Sequence, residues 1–161
     1  MPTINLKQLQ SASQFGGSPY GNDSVRYFTQ KTLPSGALEG GDSAAPIGQG
    51  DKVRLGILRK GYMPQDALLA VSNGMSNNVT GSIGFEYIDG IDDLTVPQNA
   101  GYFFTPGTVL SAPARIRATN NAAFPVTLPK DAFVILTTAG GANAKASRLD
   151  LVVYGVDRGA I

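Results

Sequence analysis

Three carboxylates sit close together in "DGIDDL", at Asp89, Asp92 and Asp93, and they are the densest group of potential metal ligands in the chain. Oxygen-rich loops of this kind suit calcium, but the run lacks both the D-x-D-x-D-G spacing and the closing glutamate of an EF-hand. The expected reading is a solvated loop without a metal. Carboxylate pairs such as Glu86 with Asp89, or Asp131 with Asp150, are the other conceivable chemistry, since glycoside hydrolysis needs two carboxyl groups flanking one bond. Pairs like these occur in every β-protein, and no further residue marks either as catalytic. The glycine-rich "GGDSAAPIGQGDK" ends in Gly50-Asp51-Lys52 and so lacks the G-K-[ST] close of a phosphate-binding loop. Asn78 in "NVT" matches a glycosylation acceptor, which matters only in a secreted chain.

Absences narrow the chemistry further. The chain has no Cys, His or Trp. Disulfides, thiolate nucleophiles and zinc–thiolate sites are therefore excluded. So are Ser-His-Asp systems and the commonest transition-metal ligand. The expectation is a protein that is not an enzyme and carries no cofactor.

The charge balance gives no nucleic-acid or membrane signal. Thirteen Lys and Arg face 12 Asp and Glu, for a formal charge of +1, and no block of like charge occurs. No apolar run is longer than Ala132 to Leu136, far short of the roughly 20 residues of a spanning helix. "MPTINLKQLQ" lacks the basic start and apolar centre of a signal peptide, so synthesis and retention in a cytoplasm are expected.

At 161 residues and 42% hydrophobic content the chain is long enough for one domain with a real core. Residues 1–49 are rich in Gly and Pro with unpatterned apolar positions, and read as an extended N-terminal arm and linker. Within them, "INLKQLQSAS" fits a short helix capped by Thr3, and "SVRYFTQKTLP" has strand composition. From residue 50 to residue 161 the texture is short strands punctuated by turns. "DKVRLGILRKGYM" alternates Val53, Leu55 and Ile57 with polar positions, and "NVTGSIGFEYIDG" sets Val79, Gly81, Ile83, Phe85 and Tyr87 on one face. Asn73-Gly74 signals a turn, and "LTTAGGANAKASRLDLVVYGV" reads as a hairpin with a tip of small residues. In "RLDLVVYGV", Leu149, Leu151 and Val153 face one way and Val152, Tyr154 and Val156 the other, which predicts a central strand covered on both sides. Roughly seven or eight such strands predict an all-β, antiparallel β-sandwich, with a jelly roll preferred over an immunoglobulin-like arrangement.

Partner contact is the remaining use for apolar residues. Ile4, Leu6, Leu9 and Phe15 lie on an arm too short and glycine-rich to fold alone, and Tyr102, Phe103 and Phe104 exceed what one thin sandwich must bury. These seven are the candidate partner-binding residues. Arg115 and Arg117, on one strand face opposite Ile116, suit carboxylates of a partner subunit.

The order "GDKVRLGILRKGYMPQDALLAVSNGM", "GSIGFEY", "ATNNAAFPVTLPKDAFVILTTAGG", "RLDLVVYGV" resembles the small decoration, or cement, proteins of tailed-phage heads, over about residues 50 to 157. The resemblance implies a jelly-roll virion protein on the capsid exterior. Its partners would be the major capsid protein and further copies of itself, as a homo-dimer or homo-trimer. It would bridge capsomers and resist internal pressure. A glycan-binding head-fibre or adhesin module on the same sandwich is the competing reading, because a fold alone does not set a function.

Overall fold

The computed structural model describes residues 3–5 and 23–159, with the side chains of residues 3–5 outside that description. Nine strands occur among these residues: β1 (Thr3–Asn5), β2 (Asp23–Thr32), β3 (Lys52–Leu58), β4 (Tyr62–Asn73), β5 (Thr80–Tyr87), β6 (Asn99–Val109), β7 (Ala114–Arg117), β8 (Ala132–Ala139) and β9 (Ser147–Asp157). One sheet has the order β1-β3-β8-β5-β6 and the other β2-β9-β4-β7. Every pairing is antiparallel except β1 with β3, where Thr3, Ile4 and Asn5 run parallel to Lys52, Val53 and Arg54. Thr3, expected to cap a helix, is thus the first residue of a strand. The rest of that expected helix lies outside the described residues.

Alternation builds the core. Gly81, Ile83, Phe85 and Tyr87 of β5 lie opposite Thr138, Leu136, Val134 and Ala132 of β8, and this face turns inward. Leu149, Leu151 and Val153 of β9 meet it from the second sheet, together with Ala67, Leu69 and Val71 of β4. Tyr62, Tyr87, Phe85, Phe103 and Phe104 are the largest fully buried side chains, each contributing about 1.5–3 kcal/mol relative to an exposed position.

Irregularities mark where alternation fails as a guide. A register shift between Arg54 and Gly56 slips β3 by one residue, so Leu58 is buried and Ile57, expected in the core, is only half-buried. A Cβ at Gly56 would lie 2.3 Å from the Phe28 ring, so only glycine lets β2 approach β3 this closely. The expected hairpin from Leu136 to Val156 is a crossover instead: β8 and β9 belong to different sheets and do not pair. The Asn73-Gly74 turn likewise carries the chain from β4 in one sheet to β5 in the other.

Residues 23–49 also differ from their assignment to an arm and linker. β2 pairs with β9 along its whole length, from Asp23 opposite Val156 to Thr32 opposite Ser147. The loop that follows buries Ala37, Leu38 and Ile47. Glycines there shape a packed loop, not a free linker. β9 is central in its sheet, as predicted, but among the described residues only its inner face is covered: Val152 and Val156 are half-buried and Tyr154 is exposed. A two-layer sandwich has no third layer for that face.

Candidate interaction surfaces

The carboxylates that were candidate metal ligands are used as brackets for the loop between β5 and β6. Asp93 Oδ1 accepts from the Thr95 N–H at 2.9 Å, the Thr95 hydroxyl at 2.5 Å and the Val96 N–H at 3.0 Å. Asp92 Oδ1 accepts from the N–H groups of Asp93 and Gln98. Asp89 accepts from the Ile91 N–H and pairs with Lys130 Nζ at 2.9 Å. The Thr95 hydroxyl holds the Asp93 carboxyl below its usual pKa, and Lys130 does the same for Asp89. No group of three or more His, Cys, Asp or Glu placed to hold a metal occurs among the described residues.

The other carboxylates are held just as firmly. Glu86 receives Lys52 Nζ at 2.5 Å and Arg54 Nε at 3.0 Å, joining β5 to β3 across the outside of the sheet. Arg54 also lies over the Phe133 ring at 4.3 Å. Asp131 binds Arg59 and the Lys60 N–H, each at 2.8 Å, while Asp150 binds Arg148 and the Thr29 hydroxyl. For all three, burial raises the pKa, but the hydrogen bonds from these partners outweigh it and the result is a lowered value. A glycosidase acid needs the opposite shift. Asp131 moreover precedes β8 of one sheet, whereas Asp150 lies in β9 of the other.

The aromatic candidates separate. Phe103 and Phe104 are both buried in this chain's own core, which corrects their assignment as partner-binding residues. The register shifts in the β5–β6 ladder break strict alternation, and the Thr119 N–H bonds the Phe103 carbonyl at 2.9 Å, bringing the following loop against the strand. Tyr102 is half-buried, packs edge-on against Phe103 and Phe85, and donates its hydroxyl to the Phe124 carbonyl at 2.6 Å. Ile4 lies in β1, its side chain undescribed, while Leu6, Leu9 and Phe15 fall outside the described residues. Arg117, expected to reach a partner, pairs with Asp66 of its own sheet.

Exposed apolar side chains gather in two places instead. One is the pair of loops that flank a groove: Ile88, Ile91 and Leu94 are exposed on the β5–β6 segment, whose Thr95 and Val96 line the groove together with Phe124, which is 79% exposed. A groove of about 340 Å³ runs between these loops, lined by Phe85, Val96, Tyr102, Phe124 and Val126 among others. Its amides are already engaged: Gln98 Oε1 accepts from the Tyr87 N–H, Asn99 Oδ1 from the Gly101 N–H, and Asn120 Nδ2 donates to the Gly101 carbonyl. The second place is the outer face of the four-stranded sheet, where Val25 and Tyr27 of β2 lie beside Tyr154 and Val152 of β9.

Sequence reasoning missed one organising residue. Asn143 sits in the tip of small residues, fully buried, with bonds to Thr32, Ser76 and Lys145. Its backbone N–H reaches the Ile47 carbonyl at 2.8 Å. The only signal for it was an Asn among alanines and glycines.

The fold so defined is that of a two-sheet antiparallel β-sandwich in which the carboxylates considered as metal ligands or acids are bound within the chain itself. No family model matches the chain, and no curated protein matches it. Among solved structures it is similar to a chain in the capsid of Ralstonia phage GP4, at 20% identity and a TM-score of 0.67, covering 99% of this chain and 100% of that one. It is also similar to a chain in the capsid asymmetric unit of cyanophage Pam1, at 18% identity and a TM-score of 0.55, covering 91% and 94%.

Proposed function

We propose that the chain is a structural virion protein: a decoration, or cement, protein that binds the outside of a tailed-phage capsid and stabilises the lattice of the major capsid protein. The observation that carries this reading is the likeness of fold over whole chains to components of two phage capsids. A match that covers all of the capsid chain means that a sandwich of this size is a shell component by itself. The strand orders β2-β9-β4-β7 and β3-β8-β5-β6, set against chain order, describe a pair of Greek keys wound through two sheets, which supports the jelly-roll type.

Stabilisation in this reading is mass action. A protein that binds only the assembled lattice stabilises it by RT ln(1 + [L]/Kd), about 4 kcal/mol at a thousandfold excess over Kd. Many copies on a symmetric shell add avidity. The attachment surface would combine the apolar loop tips Ile91, Leu94 and Phe124 with Ile4, Leu6, Leu9 and Phe15, the arm being the residues before Asp23. Homo-oligomers would form on the shell. The test is co-sedimentation with capsids lacking the protein: binding that raises the temperature of shell disruption supports the proposal, and its absence refutes it.

The groove beside Tyr102 and Phe124 favours a second reading, a glycan-binding module, because exposed aromatics beside a cleft suit sugar rings. The engagement of both ends of Asn120 and of the amide oxygens of Gln98 and Asn99 counts against it, since sugar recognition needs several convergent free hydrogen-bonding groups. Glycan-array binding lost in Phe124→Ala would favour this reading.

A further inference from the structure

A wide bulge shapes the groove beside Tyr102. β5 advances only from Ile83 to Phe85 while β6 advances from Asn99 to Phe104, and the surplus residues of β6 loop out of the ladder. Glycine at position 84 permits this, because a Cβ there would lie 1.9 Å from the Asn99 carbonyl oxygen. The bulge carries Tyr102, whose hydroxyl donates to the Phe124 carbonyl at 2.6 Å and so fixes that segment beside it. The segment around Val96 and Gln98 is held as well. Tyr87 donates its hydroxyl to the Val96 carbonyl at 2.6 Å, and Asp92 Oδ1 accepts from the Gln98 N–H at 2.7 Å. Bonds within the chain thus form the groove in advance, and its volume of about 340 Å³ suits a ligand site.

The chemistry of the lining narrows the occupant. No charged side chain lines the groove among the described residues, so a neutral occupant fits. The exposed Phe124 ring and the half-buried Tyr102 ring offer flat apolar faces. The amides are one-sided. The side-chain oxygens of Gln98, Asn99 and Asn120 accept from the N–H groups of Tyr87, Gly101 and Ala122, and Asn120 Nδ2 donates to the Gly101 carbonyl. Of these amides, only the NH2 groups of Gln98 and Asn99 remain without a partner among the described residues, and both are donors.

We infer that the groove holds a proline-rich extended segment of another protein. Such a segment offers carbonyl oxygens to the two NH2 groups and ring faces to Tyr102 and Phe124. At its prolines it has no N–H, so it buries no donor that the occupied amide oxygens would have to accept. Its polyproline II backbone rises about 3.1 Å per residue and is already extended in solution, which keeps the ordering cost low. A sugar ring brings hydroxyl donors as well as acceptors, and an ordinary strand brings an N–H at every residue. Neither matches amides that can only donate.

This inference does not rest on the virion reading, so its test uses the full chain alone in solution. The probe is a fluorophore-labelled decaproline peptide titrated with the protein and followed by anisotropy. Saturable binding is expected, with a glycine–serine peptide of equal length and neutral glucose or N-acetylglucosamine oligosaccharides binding far more weakly. Phe124→Ala removes an exposed ring without touching the core, and should weaken decaproline binding by about tenfold or more. Gln98→Glu and Asn99→Asp keep an oxygen for the Tyr87 and Gly101 N–H groups but replace each free NH2 with an acceptor. Each should weaken binding by about threefold to tenfold at an unchanged melting temperature. Absence of saturable decaproline binding overturns the inference, as does equal binding of the glycine–serine peptide. Affinity unmoved by Phe124→Ala and by both amide changes overturns it too. Tighter binding of an oligosaccharide than of decaproline would assign the groove to a glycan and equally overturn it.

Discussion

Asn143 donates from Nδ2 to the hydroxyl of Thr32 at 3.0 Å, tying the β8–β9 crossover to the end of β2. The same side chain accepts from the Ser76 N–H at 2.9 Å, so one buried amide joins the end of β2 to the loops that follow β4 and β8. Thr32 in turn donates to the Lys145 carbonyl and meets Ser147 Oγ at 2.8 Å. A closed network of this kind replaces the tertiary contacts that a hairpin would have supplied.

Asn143→Leu leaves the Ser76 N–H and the Lys145 carbonyl without their bonds to this amide inside the protein. The expected loss is about 1–3 kcal/mol, seen as a lower denaturation midpoint at unchanged m-value. An unchanged midpoint would show that the loops are held without the amide.

Gln30 poses the opposite case. Its side chain is buried among Phe28, Leu55, Leu69 and Leu151, and neither end of its amide has a hydrogen-bond partner among the described residues. Gln30→Leu replaces an unpaired amide with a group of similar size, and should raise stability by about 1 kcal/mol or more. Chemical denaturation of the two proteins decides it, and a less stable variant would contradict the account.

Acid should loosen the sheet through Glu86. Its folded pKa is lowered: burial opposes the shift, and Lys52 and Arg54 outweigh it. A depressed carboxylate contributes stability that is present above its unfolded value of 4.5 and lost as pH falls through the lower folded value. Glu86→Gln should therefore be less stable than the parent at neutral pH, with the difference shrinking below pH 4.5. A difference that is constant with pH would mean that the ion pairs contribute nothing.

Chelation should change nothing. The carboxylates of Asp89, Asp92 and Asp93 already accept bonds from their own loop. Thermal melts with and without EDTA are expected to coincide, and a drop of several degrees on chelation would show a bound cation.

Strands were legible because period-2 alternation survives in β5 and β9, where Ile83, Phe85 and Tyr87, or Leu149, Leu151 and Val153, mark one inward face. Sheet membership was not. A crossover and a hairpin need the same alternating strands, so the 140–146 loop gave no sign that β8 and β9 part company. The bulge beside Gly56 was hidden for a related reason: one slipped residue exchanges Ile57 and Leu58, both apolar, and leaves the composition unchanged. Surface contact residues were the least legible. Phe103 and Phe104 look the same in sequence as Phe124, and only the folded strand separates two core rings from an exposed one.

The central claim is attachment to a phage shell, and co-sedimentation with capsids lacking this protein tests it most directly. Full-length protein should pellet with such capsids, saturate at a fixed number of copies per shell, and raise the temperature at which the shell releases its contents. A variant lacking residues 2–22, which spares β2 from Asp23 onward, should remain folded and bind more weakly. Full-length protein that stays in the supernatant, with shell stability unaltered, would contradict the account.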